Sequence, residues 1–162
     1  MPEATQTRAA QNRAATGRQA AEPTLLYLLK QVELAVRSHL DDLLRPAGLT
    51  ALQYTALTVL ERRPDLTSAQ LARNSFVTAQ TMADMVTTLR DRGLIERRRD
   101  PDDRRRLVLA LTSAGRRLLG RYRGKVAALE ADMCAGLTNR QSVELRRSLL
   151  ACRAALGSHP PH

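Results

Sequence analysis

Apolar residues recur at spacings of three and four along most of this 162-residue chain, and this spacing predicts helices that each bury one face. One long helix is expected over 25–45, where Pro46 and Gly48 end it, and a second over about 113–135, where Gly136 ends it. Five threonines are predicted helix caps, and three of them have a glutamine three residues later, as a capping box requires: Thr50, Thr67, Thr78, Thr112 and Thr138.

After the fourth predicted helix the apolar positions alternate, which indicates a β-hairpin. Leu94 opens one strand, and Leu107, Leu109 and Leu111 are expected to line one face of the returning strand. The turn contains Asp-Pro-Asp-Asp, a sequence that favours turns because aspartate bonds to nearby backbone and proline fixes its own φ. Six arginines flank this turn: Arg97, Arg98, Arg99, Arg104, Arg105 and Arg106.

The fourth helix presents two different faces. Its apolar stripe consists of Met82, Met85, Val86 and Leu89. The remaining side chains are polar and can bond to base edges. Five of them are candidate DNA contacts: Thr78, Gln80, Thr81, Asp84 and Thr88. Gln80 can make a pair of hydrogen bonds with adenine, whereas Asp84 can accept one from a cytosine amine or pair with Arg73. Taken alone, such a face fits a solvated helix surface equally well.

The charge distribution favours a polyanionic partner. The formal net charge is +10, and residues 90–162 hold 17 basic and 8 acidic side chains, whereas 23–89 hold six of each. Aromatic residues make up only 2% of the chain, which argues against single-stranded nucleic acid bound by stacking. The basic excess therefore lies in the wing and in the helices after it.

A polar helix followed by an arginine-rich hairpin matches a winged helix-turn-helix, and here the sequence resembles the MarR (multiple antibiotic resistance regulator) family of transcription factors. The family's wing core, Asp-x-x-Asp-Arg-Arg, stands at 100–105, and the preceding LxxxGLIER pattern stands at 89–97. The resemblance covers roughly 24–156. It implies a mainly α fold with a small β-hairpin wing, in which a winged helix-turn-helix is flanked by N- and C-terminal dimerisation helices.

The resemblance also implies roles for individual wing residues. Asp100 and Asp103 would brace the hairpin, while wing arginines would reach a minor groove or the phosphates. The arginines expected to contact DNA are Arg97, Arg99, Arg104 and Arg105.

The terminal helices contain more apolar residues than one small core can bury, which indicates a homodimer. Two-fold symmetry then matches a palindromic operator in double-stranded DNA. The predicted segments are a disordered basic tail at 1–22, a MarR-like domain at 23–157, with dimerisation helices at about 24–45 and 113–156 around a winged module at about 50–112, and a tail at 158–162.

In the resembled family a small molecule binds where the dimerisation helices meet the winged module. Polar side chains on the first two helices are the candidate effector contacts, although each fits a surface or core role equally well: Tyr27, Lys30, Arg37, His39 and Tyr54. They would suit a small anionic or aromatic effector that releases a repressor from DNA. Oxidant sensing through Cys134 and Cys152 is an alternative, but buried, inert thiols are the default expectation.

Other classes of protein find little support in the sequence. No GxSxG, HExxH, Walker A or GxGxxG motif is present, so we expect no enzyme, no metal and no cofactor. Neither a membrane-spanning run nor a secretory signal is visible, and the two cysteines suit a reducing cytoplasm. A weakly specific architectural winged-helix protein would need arginines in the reading helix, and a protein–protein adaptor would not need them in the wing.

Overall fold

The computed structural model describes residues 22–157 and divides the chain into two units, of which the first ends at Leu34 and the second begins at Ala35. Both predicted tails, apart from Glu22, lie outside the described residues. The elements in chain order are α1 (Leu25–Leu44), a short 3₁₀ helix (Arg45–Ala47), α2 (Ala51–Arg62), α3 (Ser68–Asn74), α4 (Ala79–Asp91), β1 (Ile95–Arg99), β2 (Leu107–Leu111), α5 (Ser113–Met133) and α6 (Asn139–Leu156).

The predicted helix caps are confirmed. Each of the five capping threonines accepts a hydrogen bond at its hydroxyl oxygen from a backbone N–H three residues later. Thr50, Thr67 and Thr138 also form complete capping boxes with their glutamines. After α4, Gly93 adopts a left-handed φ of 65°, which glycine tolerates without steric cost. Local sequence chemistry therefore sets where these helices begin and where α4 ends.

The core of the second unit lies among α2, α3, α4, the hairpin and α5. The predicted stripe of α4 is fully or nearly buried, and it packs with side chains of α2, α3 and α5 such as Leu57, Leu71 and Leu119. Gly115 allows α5 to approach the hairpin closely, because a Cβ at this position would lie 2.2 Å from the backbone oxygen of Leu94. These contacts fix α4 and the hairpin relative to each other.

The two strands pair antiparallel, with Ile95 opposite Leu111 and Arg99 opposite Leu107. The prediction that alternate leucines of β2 line one buried face is wrong for Leu107, which is 56% exposed. Instead, residues 108–111 are all buried. The reason is that β2 packs on α2 and α5, and its other edge meets Leu66, whose carbonyl accepts a 2.8 Å hydrogen bond from the Leu109 N–H.

Apolar side chains remain uncovered at both ends of the described chain. In the first unit, Leu25 and Leu26 are more than three-quarters exposed. Helix α6 has no buried residue at all, and its apolar side chains face solvent in the single chain: Val143, Leu145, Leu149, Leu150 and Leu156. Exposed apolar surfaces of this kind mark sites of association.

Candidate nucleic-acid interface

The polar face of α4 is exposed along its whole length, opposite the buried stripe. Thr78 caps the helix, and its hydroxyl lies 2.9 Å from the Thr81 hydroxyl. The Gln80 amide donates to the Asp84 carboxylate across one helical turn, at 3.2 Å. The five predicted DNA contacts therefore lie together on one exposed surface.

Two side chains of α4 are less available than the sequence suggests. The Thr88 hydroxyl donates its hydrogen to the backbone oxygen of Asp84 at 3.1 Å, so that it can only accept a further bond. Asp84 bonds to Gln80, and no ion pair joins it to Arg73 in the part of the chain that the structure describes. Of the two alternatives for Asp84, the pair with Arg73 is therefore not formed in this structure, and Asp84 lies on the exposed polar face of α4.

The hairpin tip is held by two aspartates. Asp100 is buried, and its Oδ1 accepts from the Asp102 N–H at 2.9 Å while its Oδ2 lies 3.5 Å from Arg106 Nε. Asp103 Oδ1 accepts from the Arg105 N–H at 3.0 Å. These bonds satisfy backbone N–H groups at the tip, where no neighbouring strand is available to pair with them.

The six wing arginines fall into two groups. Arg98 donates two hydrogen bonds to the Asp65 carboxylate, at 2.8 and 2.9 Å, and Arg106 pairs with Asp100. Arg99 Nη1 donates to the Arg104 carbonyl at 2.6 Å, which ties the tip to the end of β1. The other three have exposed side chains with no partner among residues 22–157: Arg97, Arg104 and Arg105. These three can meet phosphates without first breaking an internal bond.

Asp65 is a wing-positioning residue that the sequence did not reveal. It lies in the connection between α2 and α3 at a positive φ of 65°, which aspartate tolerates better than most residues. Its bidentate pair with Arg98, and the adjacent bond between Leu66 and Leu109, attach this connection to both strands. The only local signal was Pro64-Asp65, which predicts a turn but not its partner.

The three predicted effector contacts of the second unit do not form one cluster. Tyr54 is a core residue, and burial, with a smaller contribution from Glu61, raises its pKa against the opposing charge of Arg123. Arg37 and His39 are exposed on α1, about 200° apart around the helix, so they face different sides. His39 Nδ1 lies 2.8 Å from the Ala35 carbonyl.

The two remaining candidates are exposed residues of the first unit. Tyr27 accepts a hydrogen bond from Gln31, and Lys30 pairs with Glu33 at 2.9 Å. Both side chains are thus engaged with neighbours on the same helix, and they remain predicted contacts.

Two cavities of the second unit were not anticipated. One, of about 210 Å³, lies between α1 and α5 and has an almost wholly apolar lining: Val36, Leu40, Val126, Leu129, Glu130 and Met133. The other, of about 470 Å³, lies between α5 and α6, where Arg146 pairs with Glu130 at 2.7 Å. Arg37, His39 and Tyr54 line neither cavity.

The cysteines differ from the default expectation of buried thiols. Cys134 is half-buried at the larger cavity, and Cys152 is exposed; neither forms a disulfide. Within residues 22–157 no group of histidine, cysteine and acidic side chains could hold a metal ion. Over the same residues no helix is long and apolar enough to cross a bilayer.

Comparison with known proteins agrees with this geometry. A family model described as MarR family matches residues 47–106, from the end of the 3₁₀ helix to the wing tip. The HTH-type transcriptional repressor Rv2887 of Mycobacterium tuberculosis (strain H37Rv) is 37% identical over 123 residues, which are 76% of this chain and 88% of that protein.

Solved structures give the same relationship in three dimensions. The structure of Rv2887 with salicylic acid has a TM-score of 0.68 at 35% identity and covers 82% of this chain and 98% of that one. CouR from Rhodococcus jostii RHA1 bound to p-coumaroyl-CoA has a TM-score of 0.75 at 26% identity, covering 83% and 94%. The transcriptional repressor CouR on a 23-mer DNA duplex has a TM-score of 0.67 at 31% identity, covering 81% and 92%.

Proposed function

This chain belongs to the MarR family of winged helix-turn-helix transcriptional regulators, and from that premise we propose that it is a homodimeric repressor of a palindromic operator. The observation that supports the proposal most strongly is the exposed polar face of α4 beside three unpartnered wing arginines. Polar side chains in the major groove supply base preference, and the arginines supply affinity through phosphates. We expect the protein to act in the cytoplasm.

The composition of α4 favours a specific regulator over an architectural protein. A protein that coats DNA relies on charge, because phosphate contacts are independent of sequence. The candidate readers include no arginine or lysine, and one of them, Asp84, would be repelled by phosphates. Such a surface binds a random duplex weakly, and its affinity rises where base edges complement its amide, hydroxyls and carboxylate.

Two uncovered apolar surfaces support the proposed homodimer, the exposed leucines of the first unit and those of α6. Full burial of one such side chain contributes about 1.5–3 kcal/mol relative to full exposure. A second copy of the chain that covers both surfaces would therefore be strongly favoured. In a two-fold dimer the reading helices are held about one turn of B-DNA apart, roughly 34 Å. Leu29→Glu should give a monomer that no longer binds its operator specifically.

An effector would act by changing that separation. The relatives Rv2887 and CouR were solved with salicylic acid and p-coumaroyl-CoA, so we propose an aromatic acid or its thioester as the effector class. The apolar cavity between α1 and α5 suits an aromatic ring. Arg37 and His39 do not line this cavity, and their role as partners for a negative charge stays a prediction.

A direct connection leads from the end of α1 to the reading helix. Arg92, at the end of α4, donates to the carbonyl oxygens of Ala47 and Gly48, the second of these at 2.6 Å. Asp41 of α1 accepts a 2.6 Å bond from the Ala51 N–H and so attaches the start of α2. Movement of α1 against α5 would therefore also move α4, through the hydrogen bonds of Asp41 and Arg92.

The base-reading proposal is tested with Gln80→Ala on the selected operator and on variants of it with every base pair replaced in turn. Fluorescence anisotropy should show relaxed preference at one symmetric pair of positions, where wild type loses about 1–3 kcal/mol per mismatch. Gln141→Ala, in the capping box of α6, is the matched control and should keep the wild-type profile. A uniform loss across all sequences would make Gln80 a phosphate contact instead.

The effector proposal is tested by titration of salicylate into the protein–DNA complex. Wild type should be released from the operator, whereas Arg92→Ala should still bind DNA but require more salicylate for release. Release of both proteins at the same concentration would rule out the Arg92 connection. If a panel of aromatic acids and thioesters releases neither protein, the proposed effector class is wrong.

A further inference from the structure

Phe76 is the single phenylalanine of the chain and has an unexpected conformation. It lies in the turn between α3 and α4, where its φ is +57° and 70% of its surface is exposed. Left-handed backbone is unfavourable for a bulky side chain, and exposure of an aromatic ring to water adds to the cost. Asp65 is the other non-glycine residue with positive φ among residues 22–157, and its hydrogen bonds to Arg98 account for that conformation.

The backbone of the turn explains the conformation but not the choice of phenylalanine. The Ser75 N–H donates to Leu71, and the Val77 N–H donates to Ala72 at 3.1 Å, so the chain reverses immediately after α3. The residue between them must adopt left-handed φ, a position where glycine is ordinarily found. Glycine would make the same turn without strain and without an exposed ring. A selective benefit other than folding is therefore needed to account for Phe76.

The position of the ring points to DNA. Phe76 lies two residues before Thr78, the cap of the reading helix, and the neighbouring Arg73, Ala79 and Gln80 are all exposed. In a helix-turn-helix, the N-terminal residues of the second helix contact base edges while the first helix crosses the backbone. The two other aromatic residues of the second unit, Tyr54 and Tyr122, are buried. Phe76 thus adds the one exposed aromatic ring to the surface that faces the duplex.

We propose that Phe76 is a specificity-determining residue that packs against a thymine methyl group in each half-site. The thymine methyl is the apolar feature of the major groove, and phenylalanine is one of the side chains that contact it. Stacking on a base is not available in an intact duplex. The inference rests on the proposed function, since it requires sequence-specific binding by the α4 surface.

The experiment replaces each thymine of the operator by deoxyuridine, which removes only the methyl group. Wild-type affinity should fall about fourfold when one methyl at the contacted position is removed, and about 15-fold when both half-sites are changed. Phe76→Gly should bind the unmodified operator at least about 15-fold more weakly and should be indifferent to deoxyuridine at that position. The salt dependence of binding should be unchanged, because no charge is removed.

Thermal melting separates this role from a structural one. Phe76→Gly should melt about 2–4 °C above wild type, because the strain of the turn is relieved. Phe76→Ala, which loses the ring but keeps a Cβ at positive φ, should bind DNA as weakly as Phe76→Gly without the gain in melting temperature. A structural role predicts the opposite, a lower melting temperature together with weaker binding.

Three results would overturn the inference. The first is wild-type affinity of Phe76→Gly for the operator. The second is a deoxyuridine profile that is the same with and without the ring, while wild type remains sequence-specific; this overturns the thymine contact alone. The third is wild-type protein that binds all duplexes equally, which overturns the proposed function as well.

Discussion

Replacement of Arg105 by alanine tests how the wing contributes to DNA affinity. The Arg105 side chain is exposed and has no partner in the described part of the chain, so its full charge is available to a phosphate. Each phosphate contact contributes about 0.9 to the slope of log affinity against log salt. A dimer has two wings, so Arg105→Ala should reduce the slope by about 1.8. Between 50 and 200 mM salt, wild-type affinity should then fall about 12-fold more than that of the variant.

Arg98→Ala is the matched control, because it removes the same charge from the same hairpin. Arg98 is already neutralised by its two bonds to Asp65, and the pair presents no net charge to DNA. The slope should therefore change little. Affinity should fall by a similar factor at every salt concentration, because the wing is less firmly positioned. The pair is partly exposed, so only a small loss of stability is expected.

The measurement is fluorescence anisotropy of a labelled operator at five salt concentrations. Equal slopes for wild type and Arg105→Ala would show that the wing tip does not reach a phosphate. A similar drop in slope for Arg98→Ala would show that Asp65 releases its arginine to DNA, so that the observed pairing does not describe the bound state.

Three other predictions concern the wing, the packing of α5 and the response to pH. Asp103→Ala should weaken DNA binding several-fold although it removes a negative charge, because the Arg105 N–H at the tip loses its acceptor. Tighter binding by this variant would show that the Asp103 carboxylate only repels DNA. Gly115→Ala should lower the free energy of unfolding by about 1–3 kcal/mol, since its Cβ would meet the Leu94 backbone. Gly120 has open space around it, so Gly120→Ala should raise that free energy by up to about 1 kcal/mol. Melting temperatures of the two variants that shift in the same direction would contradict this. Burial raises the pKa of Tyr54, so its stabilising contribution is present below about pH 10 and is lost as the pH rises through the folded-state value. Denaturant titrations of Tyr54→Phe should accordingly show a smaller alkaline loss than wild type, and equal losses would argue that another group dominates.

The local features of the fold could be predicted because they depend on residues close in sequence. A threonine with glutamine three residues later forms a capping box through bonds within one turn, and the confirmed boxes at Thr50, Thr67 and Thr138 show this. The stripe of α4 follows from helical periodicity alone. The MarR family and the wing were predicted from the motif at 89–105, and the comparisons confirm the family.

Features that depend on long-range contacts could not be predicted. Nothing near Arg98 in the sequence identifies its partner Asp65, which lies 33 residues earlier. Which of the six wing arginines pairs with Asp65 depends on where β1 and the connection between α2 and α3 lie in the fold. Alternation describes one face of a strand and so predicts a buried Leu107, whereas β2 is covered on both faces and its first residue lies beyond the core. Polarity in the sequence predicts surface contacts for an effector, whereas the fold places Tyr54 in the core and apolar residues around the cavity between α1 and α5.

The backbone angle of Phe76 illustrates a third limit. From the sequence, this residue is an apolar position between two short helices, and burial would be the ordinary expectation. Its exposure depends on how tightly the chain turns after α3, which is determined by bonds from the N–H groups of Ser75 and Val77.

Selection of bound duplexes from a random DNA pool, at about 150 mM salt with the 162-residue chain, tests the central claim of sequence-specific recognition by a dimer. The expected result is one enriched palindrome whose half-site centres are separated by about one helical turn, roughly 10 base pairs. A pool that remains unenriched while the protein still binds DNA, or an enriched site without two-fold symmetry, would contradict it.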